Sequence, residues 1–193
     1  MQDKTIEEVC KAQNIDINLF LALSNLHLST ATLPNLNLNE NDIIKVIEYL
    51  QNSHNYYTTE AIPNISKQIE IFINDREEKV LTFILLKRFF KEYRKEIFKH
   101  LEYEETIVYP YILKLVNENK LQSDFTINDY KHHHEDIESK LEELKNLLIK
   151  HLPEKEDRKF RCAFLLELFR LERDLRIHTV IEESILIPAI ENL

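Results

Sequence analysis

From residue 41 onward, side chains that prefer burial recur in steps of four and three. Ile43, Ile47, Leu50, His54, Tyr57 and Ala61 form one such row, and Leu86, Phe90, Tyr93, Ile97, His100, Glu104 and Ile107 form a second. A third runs Ile127, Tyr130, His134, Ile137, Leu141, Leu144, Leu148, and a fourth Phe164, Leu168, Leu171, Leu175, His178, Glu182, Ile185. Residues three and four apart lie on one face of an α-helix, so each row predicts a helix with a single inward seam. The rows place helices at about 41–74, 77–117, 125–151 and 154–190, with Asn, Asp, Ser and Pro between them. Four seams joined by short connections predict an all-α fold, an antiparallel up-down four-helix bundle. Pro63 falls inside the first row and is expected to kink that helix or restart it at the next turn.

Ahead of the bundle the pattern is weaker. STATLPNLNLNE, residues 29–40, has no helical period, and its core over 31–40 reads as a linker. The pieces TIEEVCKAQN and DINLFLALSNLHL before it are short and amphipathic, which predicts a small helical N-terminal element over 1–30. The bundle then occupies 41–193.

Each predicted seam contains one histidine, and two contain a glutamate. HLEYEETIVYP (100–110) and HTVIEESILIP (178–188) share the frame H-x3-E-x5-P and little else. Burying two carboxylates without partners costs several kcal/mol each, and the seam register points them inward rather than toward surface cations. Metal ions remove the difficulty, because imidazole nitrogens and carboxylate oxygens ligate them and the cations offset the buried charge. In an up-down arrangement His54, His100, Glu104, His134, His178 and Glu182 all fall about 5 to 13 residues from the same end. They converge on one layer, with each proline expected to end or break its helix near the mouth. Tyr57, one turn beyond His54, is placed either to hydrogen-bond a ligand at this layer or to pack beside it. Glu105 and Glu183 leave the seam by about 100°, which predicts solvated or supporting roles. His132 and His133 are off the third seam.

Composition narrows the field further. The 193 residues include no glycine and five prolines, which disfavours the tight turns of an all-β protein. The formal charge is −9 and no basic run is interleaved with aromatics, so nucleic acid is not an expected partner. No apolar run approaches the roughly 18 residues of a membrane span, and MQDKTIEEVC lacks the pattern of a signal peptide. Cys10 and Cys162, far apart in sequence, suggest a reduced, cytoplasmic protein without a disulfide framework.

The anchors EYLQNSHNYY, HLEYEETIVYP, HHHEDIESKL and HTVIEESILIP together resemble the hemerythrin-like, HHE cation-binding domains. Among these, the chain looks most similar to the bacterial iron–sulfur cluster repair di-iron proteins, over about residues 41–193. The resemblance implies two non-haem iron ions, oxo- or hydroxo- and carboxylate-bridged, with His54, His100, His134 and His178 as terminal ligands and Glu104 and Glu182 as bridges. It implies a diatomic ligand, O2 or NO, and apo iron–sulfur proteins as partners in nitrosative or oxidative stress. Gas binding, sensing or iron storage without turnover is the alternative it leaves open. Two departures stand out. Glu138 occupies the position of the fifth histidine of oxygen-carrying hemerythrins, which implies a more symmetric and more open site. TIEEVCKAQNIDINLF resembles part of the leading domain of repair proteins but lacks its adjacent cysteines, so Cys10 is expected to be a small buried hydrophobe.

Overall fold

The computed structural model describes residues 4–28, 34, 36–74, 81–118, 134–151 and 158–191. Every secondary-structure element among these residues is a helix, with no strand. The N-terminal element is a pair of helices, α1 (Ile6–Ala12) and α2 (Ile17–Leu28). Thr5 and Glu8 cap α1 reciprocally. The turn after it has the left-handed conformation that glycine normally supplies, but this chain has none, and Asn14 takes the role at φ 53°. Ile15 N–H then reaches Cys10 O and Asn14 N–H reaches Lys11 O, closing a Schellman motif. Cys10 is buried, as a small apolar side chain would be.

Four rods follow. Rod 1 is α3 (Glu40–Tyr56) and α4 (Ile62–Asn74), and rod 2 is α5 (Leu81–Tyr103) and α6 (Tyr109–Glu118). Rod 3 is α7 (His134–His151), and rod 4 is α8 (Arg158–Ile181) and α9 (Ile187–Glu191). An Asn39–Asp42 capping box starts α3. The beginning of rod 1 packs on the end of rod 2 (α3 on α6), and its end packs on the beginning (α4 on α5). Rod 1 meets rod 4 in the same reversed sense, and rod 3 lies between rods 2 and 4. This is the antiparallel four-helix bundle that the seams predict.

The rods are not plain α-helices. Three π-helical segments interrupt them, Tyr57–Ala61, Glu104–Val108 and Glu182–Leu186. In each, the next residue's N–H bonds five residues back: Ile62 to Tyr57, Tyr109 to Glu104 and Ile187 to Glu182. Pro63, Pro110 and Pro188 come directly afterward, each as the second residue of a resumed α-helix. Proline has no N–H to donate and its ring crowds the carbonyl four residues back, but in a first helical turn neither demand arises. The wide turn therefore lets the helix pass through. Pro110 and Pro188 do not end rods 2 and 4, contrary to the sequence expectation, whereas at Pro63 an α-helix restarts after the wide turn, as expected.

Each π turn adds one residue and shifts the inward face by one. Ile107, expected in the seam, is 47% exposed, whereas Val108 is 1% exposed. In rod 1 the inward residue is Ile62 rather than Ala61. Rod 4 buries Ile185 as expected, together with Leu186 and Ile187. Two apolar cores result. One gathers Ile65, Ile69, Phe90, Ile97, Leu144 and Phe164; the other gathers Ile43, Ile47, Leu50, Val108, Ile112 and Ile181. On rods 1 and 2 the gap between these cores holds the polar seam residues.

Candidate metal centre

His54, His100 and His178 occupy the last turns of α3, α5 and α8, immediately before the three π segments. Glu104 and Glu182 are the first residues of their π segments, and Tyr57 is the first of its own. Short π insertions are frequent at functional sites, and here each begins at an inward-facing seam residue. The carboxylates of Glu104 and Glu182 are 0% exposed, and His54 and His178 are each 4% exposed.

Nitrogen and oxygen atoms converge across the gap. His54 Nε2 lies 3.0 Å from His178 Nε2 and 3.2 Å from Glu104 Oε2, and His178 Nε2 is 3.9 Å from that oxygen. The other oxygen, Glu104 Oε1, faces His100 Nε2 at 2.9 Å. Glu182 Oε1 lies 3.3 Å from His178 Nε2. Glu104 thus presents one oxygen to the His54–His178 pair and the other to His100. His134 is the first residue of α7, and its side chain lies outside the described ones, as do His132, His133 and the Glu138 side chain.

The donor set fits a metal ion. The ligand atoms of His54, Glu104 and His178 all lie within 4.8 Å of one another. An octahedral divalent ion holds its donors at about 2.1 Å, which separates neighbouring donors by about 3.0 Å and opposite ones by about 4.2 Å. The observed separations span that range. Imidazoles with carboxylates suit iron and its first-row neighbours, whereas a thiolate set is absent among the described residues.

Electrostatics favour the same reading. Burial pulls the His54 imidazole down, but the carboxylates of Glu104, Glu182 and Glu105 outweigh it and leave the net shift upward. That the neighbouring carboxylates outweigh burial marks the layer as negatively charged, and a cation would offset that charge. Burial, followed by the Glu182 and Glu104 charges, raises the Tyr109 phenol far above its ordinary range. Burial raises Tyr57 as well, so both phenols remain protonated donors.

Two residues at this site escaped the seam pattern. Tyr109 is buried, donates its hydroxyl to Glu182 Oε1 at 2.8 Å and stacks on His54 with ring centroids 5.5 Å apart. Five residues beyond Glu104 on a regular α-helix it would point about 140° away. The π segment between them brings it back to the same face. The signal was the Tyr-Pro pair closing HLEYEETIVYP, which marks the end of the wide turn. Glu105 is the other: its Oε1 sits 2.8 Å from His54 Nδ1, and its Oε2 accepts from Gln51 Nε2 at 2.7 Å. With the proton on Nδ1 against Glu105, His54 turns the lone pair of Nε2 into the layer. Of the two roles expected for Glu105, the supporting one matches this contact. Glu183 is exposed. Tyr57 is buried with its ring edge-on to His178 at 5.9 Å.

A four-helix bundle that buries histidines and carboxylates between two apolar cores is a metal-binding bundle. The chain belongs to the hemerythrin family: the hemerythrin HHE cation-binding domain matches residues 64–190. The match begins inside α4, so α3 and His54 precede it. No curated protein matches the chain. Domains of this family hold metal, usually iron, and bind small gases such as O2. Among the described residues no helix is long and apolar enough to cross a membrane.

Proposed function

We propose that the polar layer holds two non-haem iron ions bridged by Glu104 and Glu182. His54, His100, His134 and His178 would be the terminal ligands. The observation that carries this reading is the division of Glu104, whose two oxygens face separate histidines at 3.2 and 2.9 Å. Bound iron would supply electrons and coordination positions for a diatomic ligand. The chain's own residues would do the rest. Tyr109 orients the Glu182 carboxylate by donating to it, Glu105 fixes the tautomer and tilt of His54, and Tyr57 offers a protonated phenol beside His178.

The use we assign is repair of iron–sulfur clusters in the cytoplasm under nitrosative or oxidative stress, with apo cluster proteins as clients. The resemblance of the two H-x3-E-x5-P blocks to those of repair proteins supports it. A second reading, an O2- or NO-binding sensor or an iron reservoir, is favoured by Cys10, which is buried and lacks the neighbouring cysteine of a redox pair. Protein from iron-replete cells should contain two irons per chain and absorb in the near ultraviolet when oxidised. One tetrahedral zinc per chain would refute the metal pair. Transfer of iron to an apo cluster protein supports repair, whereas stoichiometric, reversible gas binding without transfer supports the second reading.

A further inference from the structure

A cavity of about 310 Å³ lies where α2 crosses rods 1 and 4, lined in part by His27, Tyr49, Asn52, Tyr57, Asp174 and His178. It reaches a candidate ligand directly, through His178 and the Tyr57 ring set against it. Three further cavities touch none of His54, His100, Glu104, His178 or Glu182. The N-terminal element contributes His27 to the lining. His27 Nε2 pairs with Tyr49 Oη at 2.6 Å, and Arg173 donates to the His27 carbonyl. Leu19 and Ala22 are buried and hold α2 in place.

The lining selects by charge. Among the described residues it contains one carboxylate, Asp174, with three phenols and two imidazoles, and neither lysine nor arginine. Burial raises the Asp174 carboxyl, with His27 and Arg173 acting the other way, so the ionised group lacks full solvation where it stands. Phenol faces and a partly desolvated carboxylate attract cations. Six waters at about 30 Å³ each occupy roughly 180 Å³, so a divalent cation fits with its hydration shell intact. Neutral gases need no such charge, and anions would be repelled by it.

We propose that this cavity is the port through which hydrated ferrous ion enters the metal layer, with Asp174 as the capture group and His27 of α2 in its lining. The inference rests on the metal-pair reading above. It also assigns the N-terminal element a task that needs no paired cysteine.

Apo protein is mixed anaerobically with Fe2+ and loading is followed by stopped flow, with final iron content measured separately. Asp174→Asn should slow loading about tenfold, the low end of electrostatic steering, and leave final content unchanged. Asn52→Trp, which fills the cavity from its rim, should slow loading without involving charge. Hexaamminecobalt(III), an inert cation with a complete ligand shell, should inhibit loading of the unaltered protein competitively, and this arm stands even if a variant misfolds. Wild-type rates in both variants together with no inhibition, in a protein that still takes up two irons, would overturn the port alone. Unaltered protein that takes up no iron at equilibrium would overturn the metal-pair reading and the port with it.

Discussion

Glu105→Ala tests how far the environment of a ligand sets metal affinity at this site. The Glu105 carboxylate lies 2.8 Å from His54 Nδ1 and is itself held by Gln51. Removing it leaves the His54 N–H without its acceptor and frees the ring to rotate or to take the other tautomer. Groups that orient a ligating histidine typically contribute 10–100-fold in metal affinity, which is about 1.4–2.7 kcal/mol. The Glu105 side chain is 34% exposed, so water can replace part of the contact. The expected loss is therefore near the lower end, about tenfold. The assay is anaerobic competition for Fe2+ against a chelator of known affinity, with Glu102→Ala, an exposed change on the same rod, as control. Glu105→Gln keeps an acceptor for the Nδ1 proton and should recover most of the affinity. Equal affinities for Glu105→Ala, Glu102→Ala and the unaltered protein would refute the role assigned to Glu105. A loss that Glu105→Gln failed to rescue would mean that charge, and not ring orientation, is what Glu105 contributes.

Two other outcomes follow from the same geometry. Ile107→Asp should change stability by about 0.5 kcal/mol or less, as an exposed substitution does, whereas Val108→Asp puts an unpaired carboxylate in the core and should cost several kcal/mol by urea denaturation; the reverse order would refute the register shift. Because its folded value is raised, His54 contributes stability to metal-free protein that is full below about pH 6.5 and is lost as pH rises through the folded value. Iron needs the imidazole neutral, so the melting gap between loaded and metal-free protein should widen across that window; a metal-free melting temperature that climbs with pH there would contradict this.

Much of this architecture was legible because burial repeats with the helical period. Ile43, Ile47 and Leu50 on rod 1, Phe90 and Ile97 on rod 2, Leu141 and Leu144 on rod 3, and Phe164 and Leu168 on rod 4 are all buried where the stepping puts them. The same stepping brought out His54, His100, Glu104, His178 and Glu182, because polar residues in an apolar row are conspicuous. What it could not carry was any change of period. A row counted in fours and threes runs straight through a π turn, so it put Ile107 inside and never reached Tyr109. Glu105 was hidden for a different reason. Its partner is on another rod, 51 residues away in sequence, and no periodicity along one helix reports which neighbour a side chain just off the seam will meet.

The π turns and prolines also explain why H-x3-E-x5-P recurs as a unit. A regular α-helix returns a side chain to one face at steps of three and four, so His and Glu four apart share the layer, but the residue five beyond Glu does not. One inserted residue brings that position into line, and rods 2 and 4 fill it with Tyr109 and Ile187, both buried. A π turn is costly alone, because its bonds are poorer than those of the α-helix it replaces and other registers compete with it. Proline one residue later removes the regular alternative, because a continuous α-helix would set its ring against the carbonyl four residues back. The proline therefore holds the wide turn at one place. His and Glu supply the layer's donors, and the proline fixes which residue follows them inward. In rod 2 that residue is a phenol that orients the opposite carboxylate, so the two H-x3-E-x5-P blocks are joined by Tyr109 donating to Glu182.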